Sequence, residues 1–114
     1  MPRIWYNRIW ELRALRDLAM IHNAAVSYYH KHQTFPADLK VLVDQNYLPD
    51  AYAFGSRFKY RFYPFRPVNA AEFGIHAEPL DPQAGLRFFY VGTDAVIREA
   101  YGERAKPDST PHEY

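Results

Sequence analysis

Five histidines, His22, His30, His32, His76 and His112, are the side chains in this sequence best suited to acid–base work or metal ligation. His30 and His32 are two positions apart at the end of an expected helix, so they point to different sides and cannot share a metal. No third ligand of the right type lies near them in sequence, and a histidine near a helix C-terminus is favoured by the dipole alone. His22 falls on the apolar side of the same helix and reads as a core histidine bonded to a sheet. Ser27, Ser56 and Ser109 lack the flanking glycine elbow of a serine nucleophile. The chain has no P-loop, no GxGxxG turn and no HExxH pair. Asp94 sits in a Gly-Thr-Asp-Ala stretch, where Asp is ordinary turn chemistry. There are no cysteines, which excludes disulfides, thiolate metal sites and cysteine nucleophiles. The expectation is a protein that is not an enzyme, with no catalytic residue, no cofactor and no metal.

Binding chemistry is better represented. The run Arg57-Phe58-Lys59-Tyr60-Arg61-Phe62-Tyr63-Pro64-Phe65-Arg66 interleaves cations and rings. A strand of that kind can hold single-stranded nucleic acid, with phosphates on Arg57, Lys59, Arg61 and Arg66 and bases stacked on rings. Alternation, however, puts rings and charges on opposite faces. If the rings face a helix they are core, and the long basic side chains then guard an exposed edge.

The positions of these residues depend on the elements that carry them. A chain of 114 residues with 48% apolar and 18% aromatic content makes one folded domain. Lys plus Arg is 14 and Asp plus Glu is 13, a balance unlike that of a strongly basic nucleic-acid binder. The charge is nevertheless segregated: residues 1–33 carry a net +3, residues 34–55 a net −2, residues 56–76 a net +3 and residues 77–114 a net −3. Such a molecule is polar end to end, which matters if copies stack. No run of 18 apolar residues and no signal peptide is present, so the chain as it stands does not span a bilayer.

Residues 1–33 read as one long helix, free of Gly and Pro from Ile4 to Gln33. Leu15, Leu18, His22, Ala25 and Tyr29 form one face at spacings of three and four; Ile21, Ala24 and Tyr28 form a second apolar stripe beside it. That surface is wider than a single sheet covers. Leu18, Ala25 and Tyr29 are therefore assigned to the sheet side, and Ile21, Ala24 and Tyr28 to contacts with neighbouring subunits. Pro36 ends the helix. Residues 34–55 hold a short helix over Ala37–Asn46 and a loop. From residue 56 to 101 the period changes to two, giving four strands at about 57–63, 72–78, 87–91 and 96–101. Short turns make neighbouring strands antiparallel. The tail, 102–114, reads as flexible. The expected fold is α+β: a long N-terminal helix packed on a four-stranded antiparallel sheet.

The order of these elements resembles that of type IV pilin-like proteins, a group that includes the major pseudopilin of type II secretion. The resemblance covers roughly residues 14–100. It rests on Leu15-Arg16-Asp17-Leu18 through Tyr28, followed by Phe35-Pro36-Ala37-Asp38-Leu39 and Leu42, on Tyr47-Leu48-Pro49, and on Phe73-Gly74-Ile75-His76-Ala77-Glu78-Pro79. The stretch Arg87-Phe88-Phe89-Tyr90-Val91-Gly92-Thr93-Asp94-Ala95-Val96-Ile97-Arg98 is similar to the terminal hairpin of that group. Gln33 or Thr34 stands where the group usually has Gly, and Ala95 replaces a turn Gly, so positive φ is not cheap there.

The resemblance implies a structural subunit of a type IV pilus or a type II secretion-like pseudopilus. Its partners would be further copies and other pilin-like subunits, assembled through the N-terminal helix in the bacterial cell envelope, at the periplasm or cell surface. The group's apolar N-terminal segment is missing: residues 1–13 carry Arg3, Arg8, Glu11 and Arg13 instead. Either a membrane-embedded half of the helix precedes Met1, or this is a soluble relative, cytoplasmic if no export segment exists. Calcium is not carried over from the major pseudopilin, because Glu103, Asp108 and Glu113 are spaced by five and lack the Gly and Asp cluster of a calcium loop. The alternative reading is a small nucleic-acid-binding module using residues 57–66.

Overall fold

Helix α1 runs from Arg3 to His32, within a residue of the bounds expected from the absence of Gly and Pro. The computed structural model describes residues 3–65 and 74–112. The helix stops where Gln33 turns left-handed, at φ 62°, its N–H donating to the Tyr29 carbonyl at 2.7 Å. Helix α2 is a short piece, Leu39–Asp44, capped by the Asp38 carboxylate, which accepts from the Val41 N–H at 3.0 Å. Asn46 ends it at φ 65°. A single turn of 3-10 helix follows at Asp50–Tyr52.

The class is α+β: one long helix against one antiparallel sheet. The sheet has six strands in sequence order rather than four: β1 Ser56–Arg57, β2 Tyr60–Phe65, β3 Gly74–Pro79, β4 Phe88–Gly92, β5 Ile97–Ala100 and β6 Thr110–Pro111. Two local causes account for the extra strands. The run expected as one strand at 57–63 folds back on itself, because Arg57 pairs with Tyr60 and leaves Phe58 and Lys59 as a two-residue hairpin turn. Both turn residues have positive φ, 47° and 72°, the primed geometry that suits a twisted hairpin but is normally filled by Gly or Asn. At the other edge the tail forms β6, with Thr110 opposite Glu99 and Pro111 opposite Arg98.

The tail is thus not frayed across 102–112. Ala105 is fully buried with Phe88 and Tyr90 in a small second core. Arg104 pairs with Glu78 at 3.0 Å, and Arg98 donates to the Ser109 carbonyl at 3.0 Å. The tail covers the sheet face that the helix does not reach. On that face His76 lies between Tyr63 and Tyr90, with ring centroids 5.2 and 5.0 Å away. Gly74 leaves room for Tyr90: a Cβ on it would come within 2.6 Å of the Tyr90 ring.

The main core lies between α1 and the opposite face of the sheet. Leu18, Ala25, Tyr60, Phe62, Ile75, Ala77, Phe89 and Val91 all belong to it. Burying each large side chain contributes about 1.5–3 kcal/mol. His22 is buried as expected, its Nε2 3.1 Å from the Gly92 carbonyl. Ala95 takes up the left-handed turn position despite its Cβ, at φ 63°, and Asp94 supports the turn by accepting from the Val96 N–H at 3.0 Å.

Candidate functional site

The two helix stripes do not divide as expected. Ile21 and Ala24, assigned to neighbouring subunits, are buried inside the same molecule. The reason is the segment 39–52: Leu39, Leu42, Val43, Leu48 and Tyr52 join the core and close over the second stripe. Tyr28 is half-buried against Tyr47, at 5.7 Å, and against His32, at 4.2 Å. Leu18 and Ala25 are fully buried in the main core. Tyr29 instead stacks on Phe35, at 4.5 Å, in the chain leaving the helix.

The face of α1 left open is a third one. It carries Ile9, Leu12 and Met20, exposed at 43%, 51% and 38%, together with Ala19 and the cations Arg13 and Arg16. Beside it, the helix, the 3-10 turn and the β1–β2 hairpin enclose a cleft of about 400 Å³ lined by Arg13, Arg16, Asp17, Met20, Tyr52 and Phe58, among others.

This cleft is built on one buried carboxylate. Asp17 accepts the Tyr52 hydroxyl proton donor at 2.8 Å and lies 3.5 Å from the Arg57 guanidinium. Burial, reinforced by the hydrogen bond to Asp17, pushes the Tyr52 phenol up to about 12, so it remains a donor at any ordinary pH. Arg57 lies 4.5 Å from the centre of the Tyr52 ring and 5.0 Å from that of Phe58. Arg13 reaches both Phe58, at 4.6 Å, and Trp10, at 5.4 Å; the Lys59 ammonium is also 5.4 Å from Trp10. Three cationic side chains, Arg13, Arg57 and Lys59, thus lie over three aromatic ones, Trp10, Tyr52 and Phe58. Phe58, 43% exposed, stands in the middle on its strained turn. Arg13 and Arg57 both lie within 5.0 Å of the centre of its ring.

The residues of the alternative nucleic-acid reading are divided by this geometry. Arg57 and Lys59 belong to the cleft. Arg61 lies on the other sheet face, 5.4 Å from the Tyr63 ring. Arg66 lies outside the described residues, as do Glu72 and Phe73 at the start of the second expected strand. Tyr60 and Phe62 are core and offer no stacking platform, whereas Phe58 does.

A second polar cluster joins four elements. Glu11 on α1 accepts from the Arg87 backbone N–H at 2.8 Å and from its guanidinium at 2.9 and 3.1 Å. Arg87 also donates to Glu99 at 2.7 Å, and Glu99 meets His112 Nδ1 at 3.0 Å. The Glu11 hydrogen bonds, opposed by burial, raise the Arg87 pKa further. Every member is held by another, with no nucleophile among them, so the cluster clamps helix, sheet and tail together. Among the described residues no group of three or more His, Asp or Glu side chains is placed to hold a metal ion. Nor is any helix among them long and apolar enough to cross a membrane.

Sequence reasoning missed Asp17, Tyr52, Trp10 and Arg13 as a group, and also the clamp. Comparison with protein-family models, with curated proteins and with solved structures finds no match for this chain.

Proposed function

We propose that this chain is the folded part of a pilin-like or pseudopilin-like structural subunit that assembles with further copies of itself along its long helix. The observation that carries the reading is the open face of α1, where Ile9, Leu12 and Ala19 stand exposed and Met20 is partly exposed beside them. Scattered exposed apolar residues are ordinary, but a row of them on one helix face suits helix packing against another subunit. The receiving surface is therefore Ile9, Leu12, Ala19 and Met20 rather than Ile21 and Ala24. The order of elements, a long helix followed by a short helix and an antiparallel meander, supports the same reading. Assembly would place the protein in the bacterial envelope.

The test is a double substitution on the open face, Leu12→Glu with Ala19→Glu. Both sites are exposed, so the monomer keeps its melting temperature, while filaments or pseudopili observed by electron microscopy in the native cell disappear. Normal filaments from the double variant would refute the reading.

One observation favours a second reading, a single-stranded nucleic-acid module: the exposed Phe58 among Arg13, Arg57 and Lys59. That reading requires oligonucleotide affinity that falls steeply with salt and is lost in Phe58→Ala.

A further inference from the structure

The cleft and the clamp lie at opposite edges of one sheet. β1 and β2 form one wall of the cleft, while β5, β6 and the tail form the far edge. On that far edge a groove is lined by Glu99, Tyr101, Glu103, Asp108, Thr110 and others. Glu99 is occupied by Arg87 and His112. Glu103 and Asp108 are exposed and have no charge partner among the described residues. Tyr101 stands beside them at 70% exposure. The two surfaces complement each other: cations around a half-exposed ring on one, free carboxylates beside an exposed ring on the other. Arg16 in the cleft likewise has no charge partner among the described residues.

We propose that the cleft receives the Glu103–Asp108 edge of a second copy, so that copies join head to tail across the width of the sheet. The inference rests on the assembly reading above and adds a second contact to the one made by the open helix face. Arg13 and Arg16 take the carboxylates of Glu103 and Asp108, and Tyr101 packs against Phe58. Both outer strands are only two residues long, which disfavours strand-to-strand pairing, so side chains make the contact. Because the two surfaces differ, the contact is heterologous: each copy added leaves one cleft and one acidic edge free, and growth continues. Exposed ion pairs are individually weak and screened, so a single contact is weak and salt-sensitive.

The experiment uses two variants, one for each edge: Arg13→Glu with Arg16→Glu, and Glu103→Gln with Asp108→Asn. Circular dichroism and melting temperature establish that both are folded; Arg16→Glu alone replaces the first pair if Arg13→Glu disturbs the rings. In sedimentation velocity at low salt, the wild type associates increasingly with concentration, and its dissociation constant rises about tenfold or more in high salt. Each variant alone loses that salt-sensitive association. An equimolar mixture forms a dimer that does not grow, because only one productive cleft–edge pair exists in it. If the wild type associates and both variants associate equally well, this contact is wrong while assembly stands. If the wild type is monomeric at all concentrations and salts, the contact is wrong as well. Cysteine crosslinking on the helix face then decides whether the assembly reading falls with it.

Discussion

Glu11 and Arg87, 76 positions apart, meet through three hydrogen bonds of 2.8–3.1 Å, one from the Arg87 backbone and two from its guanidinium. This pair fixes the N-terminal half of α1 to the start of β4. The carboxylate is nearly buried and the guanidinium about a fifth exposed, so neither is freely solvated once the other is removed.

Glu11→Ala therefore leaves Arg87 with part of its donor set unmatched. Breaking one side of a buried pair costs about 3 kcal/mol, which for a chain of this size lowers the melting temperature by roughly 10 °C. Differential scanning calorimetry measures it. A change of less than about 2 °C would mean that the pair is solvated and contributes as little as a surface ion pair.

Acid should loosen the sheet through His76. Burial, with a smaller contribution from the Arg104 charge, holds its pKa down at about 4, against 6.5 when unfolded. The unfolded chain thus takes up this proton before the folded one does. The stabilisation is complete above pH 6.5 and is lost as pH falls towards 4, a change of about 3 kcal/mol. In His76→Phe, urea unfolding stability should decline less than in the wild type over that interval. Parallel pH profiles would show that His76 is not the group responsible.

The tail makes a prediction of its own. Ala105→Asp puts a carboxylate between Phe88 and Tyr90, where it has no room and no partner. The tail should detach while the helix–sheet core survives. Limited proteolysis should then cut within 103–112 in the variant but not in the wild type. Equal resistance of both would contradict the second core.

The helix bounds, the α+β class and the buried His22 were legible because Gly/Pro-free sequence and period-two alternation are strong local signals. The turn at Phe58-Lys59 was not, because neither residue is one that normally takes positive φ. Tail pairing was hidden because a Pro-rich, charged segment looks solvated, and its buried apolar residue is a small one, Ala105. A signal for both polar clusters was nevertheless present. Glu11 extends the stripe Leu15, Leu18, His22, Ala25, and Asp17 extends the stripe Ile21, Ala24, Tyr28. An acid at the head of an apolar stripe needs a buried partner, and these two find Arg87 and Tyr52. The error over Ile21 and Ala24 came from assigning only the sheet to cover the helix, when residues 39–52 cover it too.

The most direct measurement of the central claim is disulfide crosslinking between helix faces in the native cell. The chain has no cysteine, so engineered ones report without background. With Leu12→Cys and Ala19→Cys in one chain, oxidation should give a ladder of multimers, whereas Ile21→Cys, buried within the subunit, should give none. Exported, folded protein that yields no multimers from the Leu12 and Ala19 positions would contradict assembly through this helix.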